Sequence, residues 1–388
     1  MKKEINRKRI GFFLIGLYGG GGEKVVLDLA KGFLEDGFVV DLLLFSREGS
    51  WKDRVDSKIN IIDLKVSRIL FSIFPIMKYF RKERPVAILG TSEHANLILI
   101  LAKIISRTKT KILVRVGMTF SDLFKNYKNK RDKLIPFLIK IFYPRANTII
   151  ANSKSVAQDL VKTSKLSKNL IKVIYNPKFI QEIKEKSKVC KVKSQKFLTE
   201  KFTILAVGRL EKQKDFTTLI KAFSLVKNKI DAQLIILGEG GQKKELKNLI
   251  LDLNLKDVSL LGYPNDEYSY FYMRNSDVFV SSSLWEGFSN SLIEAGIFGL
   301  PIIATDCGSG SRELLAPNSD FNKQLEKGKI EYAENGILVA KRDGEKMAEA
   351  ILVLVKDEKL RNNYSQKIRG KTKEFEIEEI LKQYKKLL

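Results

Sequence analysis

Apolar and polar positions follow two alternating rhythms along this chain. Short, nearly unbroken apolar runs recur in the first half: RIGFFLIGL, FVVDLLLF, PVAILGTS, KILVRVG and TIIANS. Runs of that length, closed by small or turn-forming residues, read as strands buried on both faces. Between them apolar residues return at helical spacing, as in 95–105 and 153–165. After residue 200 the pattern restarts with FTILAVG, AQLIILG, VSLLG, DVFVSSS and PIIATD, each followed by a turn and usually a helix. Strands alternating with helices predict α/β architecture, with a parallel sheet covered on both faces.

The stretch from Asn176 to Lys201 breaks the rhythm. It is lysine-rich, poor in apolar residues and contains a proline. A linker at 179–200 is expected, between a domain over 1–178 and a second over 201–372. The closing stretch 373–388 contains FEIEEILKQYKKLL, which reads as a last amphipathic helix. At 388 residues the chain is long for one core, which agrees with two domains.

The start, MKKEINRKRIGFFLIGLYGG, has the basic and apolar blocks of a signal peptide. Its apolar run is short, no A-x-A-like site follows, and glycines lead straight into an amphipathic helix. A first strand with a phosphate-type loop is the better reading. No segment approaches the roughly 20 apolar residues of a membrane-spanning helix. ANLILILAKII comes closest and carries Lys103. The two cysteines, Cys190 and Cys307, lie far apart and form no CxxC, which suggests a reducing compartment without a disulfide framework.

Charge changes the picture most. The net charge is +25. Residues 1–200 hold 41 Lys and Arg against 18 Asp and Glu, or +23; residues 201–388 hold 29 against 27, or +2. A lysine-rich genome would tint both halves alike, so the first half is expected to face something anionic. Two of its segments, ILFSIFPIMKYFRKER at 69–84 and DLFKNYKNKRDKLIPFLIKIFYPR at 122–145, interleave aromatic and aliphatic residues with cations. That mixture suits an anionic membrane surface, although it also suits amphipathic helices that merely cover a sheet.

The chemistry concentrates between Ser281 and Leu314. A strand-like run ends in serines, EGFSN turns the chain, and SLIEAGIF continues at helical spacing. Glu286 then sits at a strand's carboxyl end beside a helix amino terminus. Ligands of open α/β sheets bind at that edge, and free helix amides favour an anion there. Glu294 is expected two turns into the helix, pointing back toward the same end. Amides for phosphate and carboxylates for hydroxyls are what a sugar nucleotide needs. Upstream, Gly208-Arg209 ends the run FTILAVG, and Lys214 follows. Arg offers a fork for phosphate oxygens and Lys a mobile charge.

These residues carry a resemblance. The 281–314 stretch resembles the signature of family 4 glycosyltransferases, which are retaining enzymes of the GT-B fold. GRLEKQKD, LGEGGQKKEL, GGGGEKVVLDLAKGF and VIYNPKF match the family's other landmarks in order. The resemblance implies two Rossmann-like domains facing across a cleft, with the last helix crossing back to the first. It makes Arg209 and Lys214 ligands of a departing diphosphate, in place of a metal ion. It gives Glu286 the donor sugar and Glu294 the ribose hydroxyls. Backbone amides of Gly287, Phe288, Ser289 and Asn290 would line sugar and phosphates, with Gly208 beside them. The base would lie near Leu261–Tyr263, although Tyr263 also reads as an ordinary strand-end aromatic. Gly21 and Gly22 would line the cleft near phosphates and acceptor; the four-glycine run is not a GxGxxG fingerprint.

The chain departs from the family where many members carry a histidine, since here the segment reads Val116-Gly117-Met118. The only histidine is His94, also after a strand, and it is the remaining imidazole for a catalytic role, with Glu93 and Arg115 as rivals for the acceptor. The expected activity is transfer of a hexose or N-acetylhexosamine from a UDP-sugar to a lipid-linked saccharide. EGFSNSLIEA followed by DCGSGSREL resembles members that extend undecaprenyl-diphosphate-linked glycans. The enzyme would work without metal or other cofactor, as a cytoplasmic protein peripheral to the inner membrane face. Two other readings compete. A basic nucleic-acid binder explains the charge but leaves Glu286 and Arg209 idle, and no HTH, RRM or zinc signature is present. A sugar-nucleotide epimerase on a similar fold would need no lipid acceptor.

Overall fold

The apolar runs of the first half become β1 (Arg9–Leu14), β2 (Val39–Leu44), β4 (Ala87–Gly90), β5 (Lys111–Val116) and β6 (Thr148–Ala151). Two further strands, β3 (Asn60–Asp63) and β7 (Ile171–Val173), close the edges of the sheet. In the computed structural model all seven are parallel, in the order β3-β2-β1-β4-β5-β6-β7. The edge strands escaped the sequence pattern because half-exposed strands carry no apolar run; Asn60 and Ile61 of β3 and Lys172 of β7 face solvent. The structure describes residues 8–49, 51–125, 132–189, 200–321 and 323–388. Cys190, the linker stretch 190–199, and Lys128, Lys130 and Arg131 of the basic segment lie outside the described residues.

Two units divide the chain, 1–178 with 375–388, and 179–374. In the first, Asp41 lies in mid-strand on β2 and is fully buried. Its carboxylate accepts from Arg9 Nη1 at 2.8 Å, Asn60 Nδ2 at 2.9 Å and Tyr79 Oη at 2.8 Å. Burial, with Asp41 beside it, drives the Tyr79 phenol strongly upward. Four elements are thereby tied through one carboxylate, with every oxygen satisfied.

The C-terminal helix Ile377–Lys385 packs on the helix Gly21–Glu35. Gly32 permits this, since a Cβ there would lie 2.9 Å from Ile377 and Leu381. Where the chain leaves and re-enters this unit, Lys178 N donates to Phe375 O at 2.7 Å and Ile377 N to Lys178 O at 2.9 Å. Arg115, a rival for the acceptor in the sequence reading, is only 3% exposed. Its Nη2 donates to Asn176 Oδ1 at 2.5 Å and its guanidinium lies beside the Tyr384 hydroxyl. Desolvation lowers its pKa. It holds the chain crossing rather than facing solvent.

The second unit contains β8 (Phe202–Val207), β9 (Ala232–Leu237), β10 (Val258–Leu261), β11 (Val278–Ser281), β12 (Ile302–Thr305), β13 (Ile330–Tyr332) and β14 (Ile337–Val339). Their order is β10-β9-β8-β11-β12-β14-β13. The last pair departs from the parallel expectation. β13 runs antiparallel to β14, because the short connection through Asn335-Gly336 leaves no room for a crossover helix. The expected linker also needs correction. Its first part is a helix, Ile180–Val189, packed on the helices Asp266–Arg274 and Asn290–Phe298. Ile180, Ile183 and Ser187 recur at helical spacing and are buried, while its lysines and glutamates pair outside, as Lys186 does with Glu182 at 2.8 Å. High lysine content masked the apolar stripe.

Candidate active site

β8, β11 and β12 are neighbours, so the segments that leave their carboxyl ends meet at one edge of the second sheet. Beyond β8 come Gly208 and Arg209, then a short 3-10 turn, Lys212–Lys214. The Lys214 stem crosses Gly208 closely; a Cβ there would lie 2.9 Å from Cε and 3.1 Å from Cδ, so a side chain at 208 would displace the lysine. Asp215 adopts the left-handed conformation at φ 45° and caps the helix Phe216–Lys227, bonding Thr218 Oγ1 at 2.7 Å. Burial pushes its carboxyl pKa up. Turn and cap together aim Lys214 across the edge.

Beyond β11, Glu286 receives it. Lys214 Nζ donates to Glu286 Oε1, and Ser283 Oγ donates to the same oxygen at 2.9 Å. The pair is partly exposed, with 15% of the lysine side chain and 12% of the glutamate open to solvent. Ser282 Oγ donates to the Lys214 carbonyl at 2.6 Å. Gln213 completes the link: its Nε2 donates to Trp285 O at 2.9 Å, and its carbonyl accepts from Leu284 N at 2.8 Å. Arg209 Nη2 approaches Gln213 Oε1 at 3.4 Å. Arg209, Lys214 and Glu286 thus form one cluster at the sheet edge.

The chain after β12 supports it from below. Gly310 N donates to Gly287 O at 2.8 Å, and the Phe288 ring occupies the space a Cβ on Gly310 would need. Thr305 Oγ1 donates to Ser283 O. Cys307 lies close enough to feel the Glu286 charge; burial first, then that charge, push its thiol up to about 11. Behind it, fully buried Asp306 holds Arg312 at 2.7 Å, and Arg312 reaches Glu331 at 2.8 Å.

The helix Asn290–Phe298 carries Glu294 at its fifth residue. That is one turn from its start, not two, because the chain bends at Gly287 and Phe288 and the helix begins only at Asn290. Glu294 is 3% exposed. The N-cap hydroxyl of Ser289 lies 3.0 Å from Ser291 Oγ and makes no bond to the helix amides. Tyr263, after β10, donates to Asp266 Oδ1 at 2.8 Å.

The other sequence candidates belong to the first unit. His94 is the second residue of the helix Glu93–Ser106, and its Nε2 lies 3.9 Å from Asp132 Oδ1. Gly21 and Gly22 open the first helix, where Glu23 accepts from Gly19 N at 2.7 Å and Gly20 N at 3.0 Å. Among the described residues no group of His, Cys, Asp or Glu is arranged to hold a metal ion. The sequence reading passed over Gln213, Ser282 and Ser283. Their signal was the run of serines closing β11 and the polar residue beside Lys214.

Family models match both halves of this chain: Glycosyltransferase Family 4 over 19–177 and Glycosyl transferases group 1 over 190–371. A Campylobacter jejuni enzyme is 31% identical over 95% of this chain and 96% of its own length. It is the N-acetylgalactosamine-N,N'-diacetylbacillosaminyl-diphospho-undecaprenol 4-alpha-N-acetylgalactosaminyltransferase. The chain belongs to glycosyltransferase family 4. It is an enzyme, a hexosyltransferase. The amylovoran biosynthesis glycosyltransferase AmsD of Erwinia amylovora is 26% identical over 95% of this chain and 96% of its own. Anabaena HepE, solved with UDP-glucose, superposes with a TM-score of 0.78 over 97% of this chain and 98% of its own, at 20% identity. That likeness gives the glycosyltransferase its GT-B fold, two Rossmann-like domains.

Proposed function

We propose that this glycosyltransferase is a retaining enzyme that moves a hexose or N-acetylhexosamine from a UDP-sugar to a lipid-linked saccharide. The observation that carries the reading is the Arg209–Lys214–Glu286 cluster, two cations and a carboxylate at one sheet edge. Arg209 and Lys214 neutralise the diphosphate as it leaves, which is the largest electrostatic demand of the reaction. Binding a diphosphate draws Lys214 from Glu286 and frees that carboxylate for the donor sugar's hydroxyls. Glu294 holds the ribose, and the backbone from Gly287 to Asn290 borders sugar and phosphates. With two fixed cations at the leaving group, no divalent metal is required.

The Campylobacter relative is named for an α-linked product on a diphospho-undecaprenol acceptor. An α product from an α-configured UDP-sugar means retention, and HepE was solved in complex with UDP-glucose. Both support the same donor, acceptor and outcome here. UDP release measured across a panel of UDP-sugars, with and without an undecaprenyl-diphosphate-linked saccharide, tests the reading. Acceptor-dependent release that survives EDTA is expected. Release that vanishes with EDTA and returns with Mn²⁺ rules out the metal-free leaving-group site.

A lipid-linked acceptor keeps its tail in the bilayer, so the enzyme works at the inner membrane face. Among the described residues no helix is long and apolar enough to cross a membrane. Attachment is instead peripheral, through the first unit. Leu70, Phe71 and Phe74 are exposed around the start of the helix Ile73–Glu83, as are Leu134 and Phe137 around the helix Ile135–Phe142. Both helices pack on the helix Glu93–Ser106. A groove of about 470 Å³ lined by Phe74, Met77, Lys78, Arg81 and Lys82 joins apolar and cationic groups. Apolar insertion with about 1 kcal/mol per cation near an anionic leaflet suffices for reversible binding. Wild type should sediment with anionic liposomes, less so at high salt. Indifference to such liposomes at low salt removes this part of the reading.

A further inference from the structure

One large aromatic past the carboxyl edge of the first sheet stands more than half open to solvent. Tyr18 lies in the loop between β1 and the helix Gly21–Glu35, and is 55% exposed. Exposed aromatics on mobile loops are common, but this loop is held on both sides. Leu17 N donates to Glu48 O at 3.3 Å, and Trp51 N donates to Leu17 O at 3.1 Å. Gly49, at φ +128°, lets those two loops touch; a Cβ there would lie 2.1 Å from Leu17 O. On the other side the Glu23 carboxylate fixes the amides of Gly19 and Gly20. The ring itself rests on Gly16, where a Cβ would lie 2.3 Å from Cε2 and 2.7 Å from Cζ. Two glycines and one carboxylate therefore hold an aromatic ring open to solvent in a set position.

We infer that Tyr18 is a stacking platform for a sugar ring of the acceptor. The apolar C–H face of a pyranose fits a flat aromatic surface, and a tyrosine supplies rigid contact area at little entropic cost. Ligands of open parallel sheets bind at the carboxyl edge, where the strand order reverses, and Tyr18 lies four residues past β1, which pairs with β4 at that reversal. The diphosphate and donor-sugar groups all lie on the second unit, so the ligand of this edge is the other substrate. The inference rests on the proposed function and names its acceptor subsite.

Direct binding and turnover are measured separately, with a water-soluble, short-chain alkyl-diphosphate-linked saccharide of N-acetylhexosamines as probe. Saturation-transfer NMR on wild type should show contact to the sugar protons. Tyr18→Ala should sharply reduce that contact and raise the acceptor KM by roughly tenfold, as for one lost stacking contact. Its kcat and UDP-sugar KM should stay within about twofold. Tyr18→Phe, which keeps the ring, should restore both readouts and shows that folding is intact. Equal saccharide contact in wild type and Tyr18→Ala overturns the inference, as does absence of contact in wild type. Saccharide contact that depends on Tyr18, in a protein that releases no UDP from any donor, keeps the platform and refutes the proposed reaction.

Discussion

Asp41 in the first unit of this glycosyltransferase and Glu286 in the second each bind a cation and a hydroxyl, and the two are built to opposite ends. Asp41 lies in mid-strand, fully buried, with Arg9, Asn60 and Tyr79 around it. Nothing in that arrangement is left for a ligand. Glu286 lies beyond a strand's carboxyl end, partly exposed, with Lys214 and Ser283 on a single oxygen. Both side chains are open in part to water at the sheet edge, where a ligand can replace protein contacts. A carboxylate with a cation and a hydroxyl makes a structural tie in one place and the proposed site in the other. Position along the strand, and so access to water, separates them.

The comparison breaks or sharpens under substitution, the largest effect first. Glu286→Ala should abolish transfer while the protein stays folded, because the pair it breaks lies at the sheet edge, where water can reach Lys214. Near-wild-type turnover would remove Glu286 from the chemistry. Asp41→Ala should do the reverse. Arg9, Asn60 and Tyr79 lose their acceptor, so denaturant unfolding should show a loss of roughly 3–5 kcal/mol. The fraction that stays folded should keep its specific activity. A stable but inactive Asp41→Ala variant would mean the two clusters are not so different.

Arg209→Ala and Lys214→Ala should each slow transfer by about 10²-fold, the cost of one lost charge-stabilising donor. Single-turnover rates at saturating donor distinguish this from weaker binding. A rise in donor KM alone would make these cations binding groups without a leaving-group role.

The smallest effect concerns Cys307 behind Glu286. Burial holds its thiol up to about 11, against an ordinary value of 9.0. Between those pH values the unfolded chain gives up a proton that the native protein keeps. Native stability therefore falls as pH rises through that window. Cys307→Ala should make the fall shallower than in wild type, measured as unfolding midpoints from pH 8 to 11. Identical slopes would show that the thiol is not shielded, and that the floor of the site is wetter than its packing indicates.

Much of this was legible in the residues. The buried strands declared themselves as unbroken apolar runs, since a strand covered on both faces has no polar side to show. The EGFSN turn and GRLEKQKD placed their charged residues at strand ends, where side chains reach ligands, so Glu286, Arg209 and Lys214 could be singled out without coordinates. Edge strands β3 and β7 and the helix Ile180–Val189 could not, because a half-exposed element mixes apolar and charged residues and so resembles a loop. Tertiary structure alone decided which partner each charge takes. Nothing in the chain order tells that Lys214 crosses Gly208 to meet Glu286, or that Arg115 turns to Asn176 and Tyr384 rather than to solvent. Local sequence sets backbone rhythm through burial and turn chemistry. Pairings between residues far apart in the chain depend on which strands lie side by side, and that is settled only when the whole sheet closes.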